Sequence, residues 1–227
     1  MSRTARVQDG FLSTLMREQS RANHSEPGPQ PGGAMSDTRP STALLVMDFQ
    51  RRIVTRYARD GVVERAAEAA AAARASGVPV IYVRVAFRPG HPEVSPRNRM
   101  FAGLRDVNAA DDDGAAIHPG VAPEPGDVVV TKRRVSAFAG SDLDVVLRAG
   151  AIDHLVLCGI ATSGVVLSTL RAAADLDFGL TVLRDACADA DAEVHRVLVE
   201  KVFPRQAEVL DVAEWTAAVA TAQPSAH

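Results

Sequence analysis

The chain has 227 residues, a net charge of −3 and a pI near 6.1. This length suits one domain with a sizeable core, and the mildly acidic balance argues against a nucleic-acid partner. No apolar run reaches the length of a membrane span, and no basic-then-apolar leader opens the chain, so we expect no membrane partner. The two cysteines, Cys158 and Cys187, lie in apolar or Ala-rich segments and predict reduced thiols in a cytoplasmic protein.

The first part of the chain differs in composition from the rest. Residues 1–41 have weak helical periodicity at 7–18, followed by a stretch rich in Pro, Gly and Ser, which predicts a flexible extension. Met35 lies just before the first apolar run, so translation from Met35 would make the residues before it a tail or an annotation artefact. We therefore expect one domain over 42–222 and a short tail over 223–227.

From residue 43 onward, strand-like and helix-like patterns alternate. Six short Val/Leu/Ile-rich runs predict buried parallel strands at 43–48, 79–84, 128–131, 154–159, 180–184 and 207–210. Helical stretches are predicted at 61–76, 141–147, 163–177, 190–202 and 211–221. This alternation predicts a three-layer α/β fold, a doubly wound sheet of about six mainly parallel strands with helices on both faces.

One connection interrupts this alternation. Residues 85–127 are rich in proline and contain no long periodic segment. Long loops in compact domains are usually functional, and ligands bind at the carboxyl ends of the strands in open α/β sheets. The loop leaves the carboxyl end of the second strand, so we expect it to form a lid or wall over a site.

The same rule about strand ends selects three candidate elements. Asp48 ends the first strand, Lys132 follows the third, and 159–164 forms a turn of small residues that leads from the fourth strand into a helix. A buried carboxylate needs a partner, and burial raises its pKa whereas a nearby ammonium lowers it, so Asp48 is either a general acid or a general base. The structural alternatives are a turn-capping Asp48 and a solvated basic loop at Lys132.

Two further expectations concern the neighbours of these elements. Lys132 points towards Asp48 while Arg133 and Arg134 extend into solvent, in the functional interpretation. The turn at 159–164 opens a helix, where backbone N–H groups bind an oxyanion or carboxylate; close packing of small residues is the alternative.

These motifs together resemble the isochorismatase-like hydrolases, a superfamily that includes isochorismatases, nicotinamidases and N-carbamoylsarcosine amidases. The resemblance covers roughly residues 42–215. It is carried by ALLVMDFQ (43–50), VVVTKRRVSAF (128–138), LVLCGIATSGVVLSTLRAAADLDF (155–178), and VLRDACAD (182–189) followed by His195.

The resemblance implies a set of site residues. The family's catalytic Asp and Lys correspond to Asp48 and Lys132, and its nucleophilic Cys, three residues after the Thr of a Gly-x-x-Thr turn, corresponds to Val165. Neither cysteine of this chain matches that position, so the resemblance implies a member without the nucleophilic thiol. It also implies an oxyanion turn built from Ala161, Thr162 and Gly164, with a cis peptide between Ala161 and Thr162.

No cofactor is expected, and the metal cluster of nicotinamidases has no counterpart, because His91 has no partner at ligand spacing. Possible substrate contacts are Arg84, Arg88, Asn98 and Phe138, although solvated loop charges and an aromatic core residue are equally good interpretations.

Three functions fit this pattern. The first is hydrolysis of a small metabolite by Asp/Lys acid–base chemistry without a thioester, with enol-ether cleavage as the candidate reaction; isochorismatases proper are understood to work without the thiol. The second is a catalytically silent relative that binds a metabolite or a protein. The third is an amidase whose water is activated by Asp48. The resemblance also implies a homo-oligomer, a dimer or a tetramer.

Overall fold

The computed structural model describes residues 41–57, 61–103 and 113–221. Six strands form one sheet in the order β3-β2-β1-β4-β5-β6, and every neighbouring pair is parallel. The strands are β1 Thr42–Met47, β2 Val80–Val85, β3 Val128–Lys132, β4 His154–Ile160, β5 Gly179–Ala188 and β6 Glu208–Leu210. The predicted doubly wound α/β fold is confirmed.

Six α-helices connect and cover the strands. They are α1 Arg51–Tyr57, α2 Val62–Ala75, α3 Leu143–Ala149, α4 Leu167–Ala174, α5 Ala192–Val197 and α6 Val212–Thr221, within the described part of the chain. A π-helical turn, Thr162–Val166, precedes α4, and a second one, Leu198–Val202, follows α5. The helix α1 was not predicted, because it spans only seven residues and its apolar side chains, Ile53, Val54 and Tyr57, are only partly buried against the core.

The helices divide into two layers, each with its own hydrophobic core. One face of the sheet packs against α3 and α4, and the other packs against α2 and α6. The alanines of α2 allow its backbone to approach the sheet closely, and Ala66, Ala69 and Ala73 are fully buried. The side chains of β1 alternate between the two cores: Met47 belongs to the core of α3 and α4, whereas Val46 belongs to the other.

Some local predictions were wrong. The helix predicted from residue 141 begins at Leu143, and Ser141 lies before it with its hydroxyl donating a hydrogen bond to the carbonyl of Ala137. The fifth strand is longer than predicted. Between Leu157 and Gly159 of β4, the partner residues on β5 advance from Val182 to Cys187, so β5 contains extra residues there.

The predicted domain limits are only partly covered by the structure. Residues 1–40, which carry most of the expected extension and its helix at 7–18, and the tail at 223–227 lie outside the described residues. Ser41 was assigned to the extension, but its carbonyl accepts hydrogen bonds from Asp153 and His154 at the start of β4. Among the described residues, no helix has the length and apolar character of a membrane span.

Candidate functional site

The centre of the candidate site is an ion pair at the carboxyl edge of the sheet. Asp48 directly follows β1, and Lys132 is the last residue of β3; Lys132 Nζ lies 2.9 Å from Asp48 Oδ2. Both side chains are buried, with 2% of the Lys132 side chain and 7% of the Asp48 side chain exposed. The sequence prediction that Lys132 points towards Asp48 agrees with this geometry, and a solvated basic loop does not.

The ammonium of Lys132 has no donor left for another partner. It donates to Asp48 Oδ2 and to the carbonyls of Arg134 and Val135, at 3.0 Å each. A lysine ammonium has three protons, so these three acceptors use all of them. Lys132 therefore anchors one carboxylate oxygen and has no hydrogen bond to offer a ligand.

The second carboxylate oxygen of Asp48 differs from the first in its hydrogen bonding. Asp48 Oδ1 is buried and has no hydrogen-bond partner among the described residues. Burial raises the pKa of Asp48 from 3.8 to about 6, even though the charge and hydrogen bond of Lys132 lower it. Such an oxygen is suited either to carry a proton or to accept one from a bound molecule.

The backbone helps to place this carboxyl group. Asp48 has a φ of 59°, in the left-handed region that aspartate tolerates better than most residues. Its N–H donates to the carbonyl of Val83 on β2, 2.8 Å away. The chain thus turns away from the sheet at Asp48 while the residue stays fixed to the neighbouring strand.

Val165 lies in the same hydrophobic core as Met47, the residue that precedes Asp48. Gly159 pairs with Met47 across β1 and β4. A Cβ on residue 159 would lie 2.8 Å from the Met47 carbonyl oxygen and 3.3 Å from Val165 Cγ1. Glycine is therefore needed at this paired position, and it lets Val165 pack at the strand end that leads into Asp48.

The turn at the end of β4 differs from the prediction in one detail. The cis peptide joins Ile160 and Ala161, one residue earlier than the predicted Ala161–Thr162 bond. The reason is that the chain leaves the sheet at Ile160, the last residue of β4, so the change of direction starts there.

Several amide groups of this turn are already committed to acceptors within the protein. The amides of Gly164 and Val166 both donate to the carbonyl of Ala161. The amide of Ser163 donates to Asp189 Oδ2 at 2.7 Å. An anion at this turn would therefore have to be bound by other amides. The predicted oxyanion role then does not rest on the amides of Ser163, Gly164 and Val166.

Two residues behind the turn were not predicted as part of the site. Besides its bond to Ser163, Asp189 is largely buried at the end of β5. His195 Nδ1, on α5, lies 2.8 Å from the hydroxyl of the fully buried Thr162. Asp189 could have been found from the sequence, because it follows the fifth strand and the rule about strand ends applies to it equally.

The two thiols are buried and occupy different faces of the sheet. Cys158 belongs to the core opposite Val165, and its Sγ donates to the carbonyl of Leu45. Burial raises its pKa well above 9.0. Cys187 lies within β5, on the same face as Val165 and in register with Gly159, and burial raises its pKa to about 12. Both thiols are therefore protonated near neutral pH.

The predicted substrate contacts have other partners. Arg84 Nε donates to the hydroxyl of Thr131, Arg88 pairs with Glu93, and Asn98 Oδ1 accepts from two amides of its own turn. Phe138 contacts Phe178, which directly precedes β5 and so lies at the opposite edge of the sheet from Asp48. In the described part of the chain, the contacts of these four predicted residues are with groups other than Asp48 and Lys132.

The arginines after β3 do not extend into solvent, contrary to our expectation. Arg133 Nη1 donates to the carbonyl of Ala86, and Arg134 Nη2 donates to the carbonyl of Glu93 at 2.6 Å. These bonds attach the segment after β3 to the described start of the long loop. His91 is buried against Phe87 in that loop, and the described ranges contain no cluster of three potential metal-ligating side chains.

Comparisons with known proteins agree with this architecture. The isochorismatase domain model matches residues 42–214. The chain is 36% identical over 185 residues to the uncharacterized isochorismatase family protein YecD of Escherichia coli O157:H7, covering 77% of this chain and 94% of that protein. It is 30% identical over 226 residues to the ureidoacrylate amidohydrolase RutB of Methylobacterium radiotolerans, covering 83% and 86%.

A solved structure shares the fold. An isochorismatase family protein from Burkholderia thailandensis superposes with a TM-score of 0.72 at 33% identity, covering 80% of this chain and 97% of that one. The family match covers residues 42–214, which is most of the predicted domain. The chain belongs to the isochorismatase family, whose members here include named hydrolases.

Proposed function

We propose that this chain hydrolyses a small metabolite by acid–base chemistry at Asp48, without a covalent thioester intermediate, and that the bond cleaved is an enol ether. The observation that carries this proposal is the buried Oδ1 of Asp48, which has no partner among the described residues. An acid that transfers a proton to carbon needs such an oxygen, free of competing hydrogen bonds and shielded from water.

The proposed reaction balances with the groups at hand. Protonated Asp48 gives its Oδ1 proton to the enol-ether carbon, which leaves an oxocarbenium ion. Water adds to that ion and loses a proton to the Asp48 carboxylate. The resulting hemiketal then breaks its carbon–oxygen bond to give a ketone and an alcohol, and Asp48 is again protonated for the next turnover. Lys132 holds the other oxygen throughout.

The positions of the thiols support a mechanism without cysteine. Val165 stands where the family resemblance places the nucleophile, and valine has no group that attacks a carbonyl. Cys158 lies on the opposite face of the sheet. Cys187 lies two strands away from β1, about 10 Å by the usual strand spacing, and its pKa of about 12 disfavours the thiolate.

A second candidate function is hydrolysis of an amide by water that Asp48 activates as a general base. The pKa of about 6 favours it, because most Asp48 side chains are then ionised at pH 7. The relative RutB is named as an amidohydrolase. The two candidates differ in the protonation state that Asp48 requires, and therefore in the direction of their pH dependence.

The test of the thiol-free mechanism is a variant without cysteine. A screen of enol ethers, ureido acids and amides first identifies the substrate of the native protein. We then expect the double variant Cys158→Ala/Cys187→Ala to hydrolyse that substrate at close to the native kcat. Both single variants serve as controls for packing. Loss of turnover in Cys187→Ala but not in Cys158→Ala, together with alkylation of the native protein at Cys187, would show a cysteine mechanism instead.

The remaining expectations are unaffected by the geometry of the site. We propose a small-molecule substrate, a cytoplasmic location and a homo-oligomer, as the family resemblance implies. Light scattering of the purified chain measures the oligomeric state directly, and a monomer at micromolar concentration contradicts that last proposal.

A further inference from the structure

The turn that carries Val165 is held from behind by two side chains outside the ion pair. Asp189 accepts the amide of Ser163 at 2.7 Å, and His195 bonds the Thr162 hydroxyl at 2.8 Å. Thr162 is fully buried and Asp189 is 6% exposed, so both bonds are largely shielded from water and are stronger than surface bonds.

We propose that Asp189 and His195 are positioning residues that press the turn against the strand ends and so keep Val165 and the Asp48 carboxyl in their working arrangement. Asp189 directly follows β5 and His195 lies in α5, and the two hold two successive residues of the turn. This inference deepens the proposed function and rests on it for its activity readout.

A continuous path of contacts leads from the two bonds to Asp48. Thr162 and Ser163 begin the π-helical turn, and Val165 lies within the same turn. Val165 packs where Gly159 of β4 pairs with Met47 of β1, in the core that also contains Met47, the residue before Asp48. If the turn retreats, Val165 retreats with it, and water reaches the end of β1 that the valine covers.

A cavity beside Asp189 and His195 leaves room for the turn to move, so hydrogen bonds are needed to hold the turn in place. Asp189, His195 and Cys187, the first two of which hold the turn, line an open cavity of about 320 Å³ between the end of β5 and α5. A close-packed interior would prevent the turn from moving back, but an open cavity does not. Hydrogen bonds from the cavity wall therefore fix the position of the turn.

A purely structural role is the alternative, in which Asp189 only caps the helix that starts at the turn. Asp191 is a matched control, since it lies two residues away and caps α5 by accepting the amides of Glu193 and Val194. Loss of that cap lowers stability but does not touch the turn. Comparison of the two aspartates separates positioning from capping.

The experiment measures the titration of Asp48 together with kcat and KM. Carbon-13 NMR of labelled aspartate carboxyls, assigned with Asp48→Asn, gives the midpoint. The native midpoint is expected at about 6, and Asp189→Ala or His195→Ala should lower it towards the ordinary 3.8, because water enters beside the carboxyl. Lys132 is the charged group that contacts Asp48 in the described chain, and it stays in place in all these variants.

For activity, we expect Asp189→Ala to lower kcat about tenfold with a smaller change in KM, because the turn is displaced from the reacting groups. Asp189→Asn and His195→Asn, which keep a hydrogen-bonding atom near the native position, should restore both the midpoint and most of kcat. Asp191→Ala should lower Tm and leave the midpoint unchanged.

Two outcomes overturn the proposal: a native Asp48 midpoint in Asp189→Ala and His195→Ala, or an equal shift in Asp191→Ala. If His195→Ala does not fold, Thr162→Val removes the same hydrogen bond from the other side and is measured in its place. The titration needs no substrate, so a failure of the proposed reaction is seen separately, as absence of turnover in a protein whose Asp48 midpoint still responds to Asp189.

Discussion

Two buried carboxylates in this protein each pair with a cation, at opposite edges of the same sheet. At the amino edge, Asp127 precedes β3 and lies 2.6 Å from Arg74 Nη2. Arg74 Nε reaches its Oδ1, and the amide of Glu124 reaches its Oδ2. At the carboxyl edge, Asp48 receives Lys132 on Oδ2 and no described partner on Oδ1.

The difference separates a pair that holds the fold together from a pair available for chemistry. Both oxygens of Asp127 accept hydrogen bonds, so a ligand would have to displace a protein group to bind there. Asp48 has one oxygen anchored and one unused, at the sheet edge where open α/β folds bind their ligands. Burial and an ion pair are common to both sites, and the unused oxygen is what distinguishes the candidate catalytic one.

The largest expected effect comes from neutralising each carboxylate. Asp48→Asn should lower kcat/KM by about 10³-fold, because the amide neither donates nor accepts the catalytic proton. Asp127→Asn should leave kcat/KM nearly native and lower the free energy of unfolding by about 2 kcal/mol, since it weakens a largely buried ion pair. Steady-state kinetics and urea denaturation of both variants measure these effects. Equal kinetic losses in the two would show that the comparison is mistaken.

The next effect is the dependence of activity on pH. The pKa of Asp48 is raised to about 6, so the protonated fraction falls about tenfold per pH unit above that value. A general acid thus predicts a kcat/KM that is highest below pH 6 and falls between pH 6 and 8. A general base predicts the reverse, with activity lost as the pH falls below 6. The pH profile of kcat/KM decides between the two candidate reactions.

A smaller and more specific effect is expected from the cations. Lys132 lowers the pKa of Asp48, so Lys132→Met should move the midpoint of the pH profile above 6. Arg74→Met, at the other edge of the sheet, should leave that midpoint in place and reduce stability instead. An unchanged midpoint in Lys132→Met would mean that the ammonium contributes less to the titration of Asp48 than its 2.9 Å contact indicates.

The sequence allowed the sheet and the ion pair to be predicted for the same reason. Buried parallel strands appear as short apolar runs, and their carboxyl ends meet at one edge, which brings Asp48 and Lys132 together without knowledge of any contact. The family resemblance added Val165, which no pattern of hydrophobicity distinguishes from an ordinary core valine.

Other features depend on contacts that no local pattern records. The bond between His195 and Thr162 joins α5 to the turn across 33 residues, and the sequence shows only a histidine in an amphipathic stretch. The additional residues of β5 include Arg184 and Asp185, so the apolar run ends near the irregularity and gave no indication that the strand continues to Ala188. Phe138 was ambiguous from the start, because an aromatic residue in a loop fits a binding wall and a core equally well.

The saturated ammonium of Lys132 has one more consequence. Three acceptors fix its protons in direction as well as in number, so its positive charge cannot swing to follow an incoming molecule. The electric field at the unused oxygen of Asp48 is then set by the fold before any ligand arrives, and no energy is spent on reorienting dipoles during the reaction. Lys132 therefore provides a positive charge at a fixed position at this edge of the sheet, and a substrate has to bind in an orientation that suits this charge.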